Sequence, residues 1–152
     1  MDRAGLLERY ASGADDVVGS LAGVTDDELD RRPPTGWTAR EIAHHLADSE
    51  AMAYIRLRRL IAEDEPVIHG YDEPEWARRL HYDRPIEASI AVLRAVRAAS
   101  HQLLLSLTPD EWARTGTHSE SGAYSVDQWL GIYAEHSHDH ADQIRRARRG
   151  ED

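Results

Sequence analysis

Near its end the chain reads "EHSHDHADQI", residues 135–144, with histidines at alternate positions 136, 138 and 140. Imidazole is a common ligand for first-row divalent metals and a proton carrier near neutral pH. On a helix turning about 100° per residue, with Val126 at zero, the apolar residues Trp129, Leu130, Tyr133 and Ile144 fall between about −60° and 40°. His136 falls at about −80° and His140 at about −40°, while His138 lands near 120°, among solvent-facing positions. His136 and His140 therefore share a face and can offer two nitrogens to one ion. That is the arrangement of the HExxH helix of zinc proteases, but Ser137, His138 and Asp139 intervene here, so the protease base is missing.

A second helix, "TAREIAHHLADSE", carries another histidine pair. With Ile42 at zero, Leu46, Ala53, Leu57 and Leu60 lie between about 0° and 60°, His45 sits at the edge near −60°, and His44 points nearly opposite. Three histidines on the buried faces of two helices are costly to desolvate without partners. A shared metal satisfies all three and leaves open positions, the layout of a catalytic site. The same residues also fit three independent histidines at the core edge, each bonded to carboxylate or backbone. The chain has no cysteine, which excludes thiolate ligands, disulfides and a cysteine nucleophile, so any metal is held by nitrogen and oxygen.

These side chains need helices to position them. A first helix is expected from about Asp2 to Leu21, with "ASGADD" a weak middle. A capping box at Thr38 and Glu41 opens a second, from Ala39 to about Ala62. Asp83 as cap and Pro85 in the first turn open a third, with Ile86, Ile90, Leu93, Val96, Leu104 and Leu107 on its apolar side. Ser125 with Gln128 caps the last, which runs to about Arg149 before Gly150, with arginines at its negative end. No stretch sustains period-two alternation, so the expected fold is an all-α four-helix bundle in one domain over residues 1–152. The segment from Glu63 to Arg84 is far longer than a usual bundle loop and can carry the chain the length of the bundle, making helices two and three parallel. "LAGVTDDELDRR" and "LLSLTPDEWART" occupy equivalent places, a weak internal repeat.

With 28 acidic against 18 basic residues the net charge is −10, which argues against nucleic acid as a partner. No apolar run reaches the roughly 18 residues of a membrane span, and no signal segment opens the chain, so the expectation is a soluble, cytoplasmic protein with no membrane partner. Every basic residue is arginine, and lysine, asparagine and phenylalanine are absent, which points to a GC-rich genome.

The stretches "GWTAREIAHHLADSE", "GYDEPEWARR", "LTPDEWART" and "YAEHSHDHADQI", in this order from Gly36 to Ile144, resemble the DinB-like superfamily of metal-binding four-helix bundles, which includes bacterial thiol-dependent S-transferases. The resemblance implies an up-down-down-up bundle with the long crossover between helices two and three, often as a homodimer. It also implies three metal ligands, which fall on His45, His136 and His140. By the same resemblance the expected function is conjugation of a low-molecular-weight thiol, mycothiol or bacillithiol-like, to an electrophilic small molecule. The expected cofactor is a divalent metal, Zn²⁺ or Ni²⁺, that favours the thiolate. Two alternatives stand beside it: a metal-dependent small-molecule hydrolase, and a non-catalytic metal- or ligand-binding module.

Asp48 and Asp139, each three residues after a candidate ligand, are candidates to support the imidazoles, against a plainer reading as surface carboxylates. Arg56 lies at about −40° on the stripe of His45 and Ser49, where it can meet a substrate carboxylate or form an interhelical ion pair. Tyr71, Asp72 and Trp76 in the crossover are candidates for a rim over the site, against simple packing of Trp76 on the bundle. His69, His81, His101 and His118 receive no role.

Overall fold

A computed structural model describes residues 1–152, and four long helices dominate it: α1 (Arg3–Ser20), α3 (Ala39–Ala62), α5 (Glu87–Leu105) and α7 (Val126–Ala147). The reciprocal capping boxes form at Thr38 with Glu41 and at Ser125 with Gln128, so α3 and α7 start where the sequence puts them. Short helices α2 (Asp26–Leu29) and α6 (Pro109–Trp112) follow α1 and α5, and each carries its own capping box, at Thr25 with Glu28 and at Thr108 with Glu111. The two weakly similar segments thus fold into the same capped turn.

Contacts between helices fix their directions. Along α3 and α5 the partners rise together: His44 with Ser89, Glu50 with Arg97, Arg58 with Ser100. Along α1 and α7 they also rise together, from Arg3 with Asp127 through Arg9 with Glu135 to Arg145 with Asp16. Between α3 and α7 they run in opposite senses, Ala53 with Trp129 and Glu50 with Ser137. The bundle is therefore up-down-down-up, and the long segment before α5 is the crossover that makes α3 and α5 parallel.

That crossover has structure of its own: β1 (Val67–Ile68) and α4 (Glu73–Arg79). β1 pairs in parallel with β2 (Thr115–His118), which pairs with β3 (Gly122–Ser125) in an antiparallel hairpin. This small sheet departs from the all-α expectation without changing the fold class. Its strands are two to four residues long, too short to show alternation. Gly116 makes the pairing possible, because a Cβ there would lie 2.5 Å from the Pro66 carbonyl oxygen.

The third long helix departs from its expected start. α5 begins at Glu87 after Ile86, and no side chain caps it, so Asp83 and Pro85 do not open it. Pro85 disfavours helical geometry at Arg84, whose carbonyl instead accepts a hydrogen bond from His44 Nε2 at 2.8 Å. The buried stripe of α5 is also more polar than its leucines suggest, with Ser89, Arg97 and Ser100 buried beside Leu93 and Leu104.

Apolar packing lies in two clusters. One surrounds Tyr10, Leu57, Leu104, Trp129 and Tyr133; the other surrounds Val17, Ile42, Leu46, Leu93 and Ile144. Arg97 reaches into the bundle, donating to Glu50, to the Tyr10 carbonyl and to the Tyr133 carbonyl, with its guanidinium 4.0 Å from the Tyr10 ring. Gly13 leaves room for it, since a Cβ there would lie 2.6 Å from Arg97 Nη2 and 2.9 Å from Ser137 Cβ. The weak middle of α1 is thus the close approach that admits a buried guanidinium.

Candidate metal centre

Antiparallel packing of α3 on α7 brings His45 against both His136 and His140. Ring centroids are 5.6 Å apart for His45 and His136, 4.8 Å for His45 and His140, and 4.6 Å for His136 and His140. One ring nitrogen from each lies within 4.8 Å of the others. Trp37, in the loop before α3, sets its ring edge-on to His45 at 5.0 Å, and Tyr133 packs on His136 at 5.8 Å. The Nδ1 atoms of His45 and His136 are buried with no hydrogen-bond partner. His140 Nδ1 lies 2.7 Å from Gln143 Oε1, an acceptor, which puts the proton on Nδ1 and leaves a lone pair on Nε2.

Burial sets the charge of the cluster. It pushes His45 down to about 4 and His136 down to about 2, with the neighbouring histidines adding to both shifts. Burial also lowers His140, against the opposing hydrogen bond of Gln143. At neutral pH the three rings are uncharged and their lone pairs are available, the state that metal ligation requires. Polar nitrogens buried without partners are otherwise unfavourable by about 1–3 kcal/mol each. Three neutral imidazoles from two helices, two of them with orphaned nitrogens, are a donor set that fits a divalent ion.

The adjacent His44 is different. It is fully buried on the other side of α3, with Nδ1 2.8 Å from Ser89 Oγ and Nε2 2.8 Å from the Arg84 carbonyl oxygen. His138 points away from the cluster as expected, yet it does not face solvent. α1 packs along that side of α7, placing His138 Nδ1 2.7 Å from Asp16 and Nε2 3.0 Å from the Arg9 carbonyl oxygen. A helical wheel shows one apolar arc and misses a second neighbour that meets the helix through polar contacts.

Neither candidate supporting carboxylate touches the histidines. Asp48 accepts a 2.6 Å hydrogen bond from Tyr82, which ties α3 to the crossover, and Asp139 is exposed and acts on His140 only through its charge. The group that does orient a ring is Gln143, one helical turn after His140; that spacing was the available signal. Arg56 makes no interhelical ion pair. Its guanidinium donates to the Tyr133 hydroxyl at 2.9 Å and to the His69 carbonyl at 2.8 Å.

A cavity of about 220 Å³ opens beside His136, bounded at depth by Ser49, Arg56, Tyr71 and Tyr133. Of the three rim candidates only Tyr71 lines it; Trp76 packs on Tyr71 with ring centroids 4.4 Å apart, and Asp72 caps α4 by accepting from Glu75 N. Glu73, His118 and Glu120 also border the cavity. Sequence reading gave them no part, because the small sheet that brings the β2–β3 turn to the crossover is a long-range pairing. The roomier clefts of the molecule touch none of the three clustered histidines.

Comparison with known proteins places these features in a family context. The family described as the DinB superfamily matches residues 9–144. A protein of Oceanobacillus iheyensis, provisionally named a metal-dependent hydrolase, is 46% identical over 109 residues, covering 72% of this chain and 63% of that one. A Halalkalibacterium halodurans protein with the same provisional name is 32% identical over 111 residues, covering 73% and 65%. The matched part thus spans less than two thirds of the length of both. Among solved structures, YfiT from Bacillus subtilis superposes with a TM-score of 0.90 at 27% identity, over 98% of this chain and 89% of that one. It is described, again provisionally, as a metal-dependent hydrolase with an unusual four-helix bundle topology. No helix of the present chain is long and apolar enough to cross a membrane.

Proposed function

The chain belongs to the DinB superfamily, and on that premise we propose that it is a metal-dependent enzyme in which His45, His136 and His140 hold Zn²⁺ or Ni²⁺ beside a small-molecule cavity. The observation that carries this reading is the convergence of three neutral imidazoles within 4.8 Å, two of them with buried and unpartnered nitrogens, with His136 at the wall of a cavity of about 220 Å³. When bound, a divalent ion with three protein ligands supplies Lewis acidity that lowers the pKa of a thiol or of water at its open positions. The chain's own residues do the rest. Gln143 fixes the tautomer of His140, Trp37 and Tyr133 wall the rings, and Arg56 holds the Tyr133 hydroxyl at the cavity.

The nucleophile we favour is the thiolate of a low-molecular-weight thiol, mycothiol or bacillithiol-like, joined to an electrophilic small molecule as its leaving group departs. No carboxylate hydrogen-bonds to any of the three rings, and the carboxylates that border the cavity, Glu73 and Glu120, lie at its exposed edge. A thiol, with an ordinary pKa near about 8.5, needs less help to ionise than water does. Hydrolysis is the second reading, supported by the provisional names of the relatives. The test is to mix metal-loaded protein with each thiol and a chromogenic aryl halide, and separately with ester and amide substrates. Metal-dependent thioether formation supports the transferase, metal-dependent ester or amide cleavage without thiol supports the hydrolase, and neither one overturns the enzyme reading in favour of a binding module.

A further inference from the structure

The charges around the cavity beside His136 have an unusual distribution. Its deep side holds Arg56, the Ser49 and Tyr71 hydroxyls and the Tyr133 hydroxyl, and its exposed edge holds Glu73 and Glu120. Most arginines of the chain are paired with carboxylates, but Arg56 forms no ion pair, and neither do Glu73 and Glu120. The hydrogen bonds of Arg56 go to a phenol and a backbone carbonyl, which leave its positive charge uncompensated at contact distance. Arg56 Nε is also buried without a partner, and the Tyr71 hydroxyl has only the Ser49 hydroxyl near it, too far for a well-formed hydrogen bond. Burial pushes Tyr71 up to about 12, so its hydroxyl stays protonated and remains a donor. One side of a small cavity thus presents a guanidinium and neutral hydroxyls, the chemistry that receives a carboxylate. The other presents two carboxylates with no cation at contact distance, Glu73 being reached by Arg56 only through its charge across the cavity. Gly70 lets this edge close in, since a Cβ there would lie 2.5 Å from the Glu120 carboxylate.

We propose that this cavity binds a small amino-carboxylate zwitterion, with its carboxylate on Arg56 and the Tyr71 and Ser49 hydroxyls and its ammonium between Glu73 and Glu120. The inference rests on the reading above only in taking the cavity as the substrate side of the histidine cluster. A volume of about 220 Å³ lies below the roughly 300 Å³ at which drug-sized pockets begin, so only a small molecule, or the charged end of a larger one, enters. The zwitterion satisfies both unpaired sides at once, which neither a simple acid nor a simple amine does. Specificity follows, because a ligand lacking either group leaves a charged partner unmet.

The experiment is an NMR titration of the full chain, metal-free and zinc-loaded, with glycine, β-alanine and γ-aminobutyrate, and with the carboxylic acid and the amine of each length. At least one zwitterion is expected to bind ~10-fold or more tightly than the acid and amine of its length, the loss typical of one charged hydrogen bond. Arg56→Gln is expected to reduce that zwitterion to the affinity of the amine, and Arg56→Lys to restore part of it. Glu73→Gln with Glu120→Gln, both on exposed side chains, is expected to reduce it to the affinity of the acid, and carries the test should Arg56→Gln fail to fold. Equal binding of acid and zwitterion, or no binding by any probe, overturns the proposal. Zinc uptake without zwitterion binding sinks this inference alone. Zwitterion binding by a chain that takes up no metal supports it and sinks the metal reading.

Discussion

His44 and His45 are neighbours on α3 and both are buried, yet the two seams they enter are built on opposite terms. In the seam between α3 and α5, His44 has a partner on each nitrogen, and further along Glu50 meets Arg97 in an ion pair whose Glu50 Oε2 and Arg97 Nε are left without a further partner. In the seam between α3 and α7, His45 faces two more histidines and its Nδ1 meets nothing. Burial alone therefore does not separate the two histidines; hydrogen-bond satisfaction does. A buried imidazole closed on both nitrogens by its own protein specifies packing, whereas three neutral imidazoles gathered with open nitrogens and no opposite charge among them are the arrangement that the metal reading proposed above accounts for.

The largest effect expected from this contrast lies in the closed seam. Glu50→Ala leaves the Arg97 guanidinium buried without its carboxylate and should destabilise the fold by about 3–5 kcal/mol in urea unfolding, whereas replacing both residues by apolar ones should recover most of the loss. A smaller loss, about 1–3 kcal/mol, is expected for His44→Ala, which strands the Ser89 hydroxyl and the Arg84 carbonyl. His45→Ala should cost the metal-free chain less than His44→Ala does. Equal costs in the metal-free chain would erase the distinction between the seams.

The next effect depends on pH. The folded chain holds His45 near 4 and His136 near 2, both below the ordinary value of about 6.5, so between these values the unfolded chain binds more protons. Stability of the metal-free protein is full above about pH 6.5 and falls as pH drops toward 4. His45→Gln should flatten that slope in denaturation measured across this range, and an unchanged slope would contradict the assignment. The smallest effect is expected at Asp48 and Asp139. Neither touches an imidazole, so Asp48→Asn and Asp139→Asn should leave zinc affinity within about twofold, against the 10–100-fold typical of groups that orient ligands. Gln143→Ala is expected to show that larger loss.

What was legible in the sequence follows from where the information is local. Capping boxes at Thr38 and Ser125 mark the starts of α3 and α7, and the pairing of His136 with His140 follows from helical period alone. The orientation of His138 was half legible. Its direction away from the cluster is periodic, but its contact with Asp16 depends on α1 lying parallel to α7. Arg97 was not legible, because it occupies the apolar stripe of α5 and is tolerated only through Glu50, two backbone carbonyls and the space left by Gly13. Glu73, His118 and Glu120 reach one cavity through strands of two and four residues, which carry no periodic signal. The helical period of α3 put His45 at the edge of its buried face and the length of the crossover made helices two and three parallel; the resemblance to the DinB-like proteins implied the same third ligand and the same topology, and the contacts between helices reproduce that topology independently.

Elemental analysis of the untagged protein tests the central claim most directly, comparing wild type with His45→Ala, His136→Ala and His140→Ala, and with His44→Ala and His138→Ala as buried controls outside the cluster. The account predicts about one divalent ion per chain, as one three-histidine site implies, lost in the first three variants and retained in the two controls. A wild type that stays empty after incubation with zinc and nickel, or controls that lose metal as fully as the cluster variants, would contradict it.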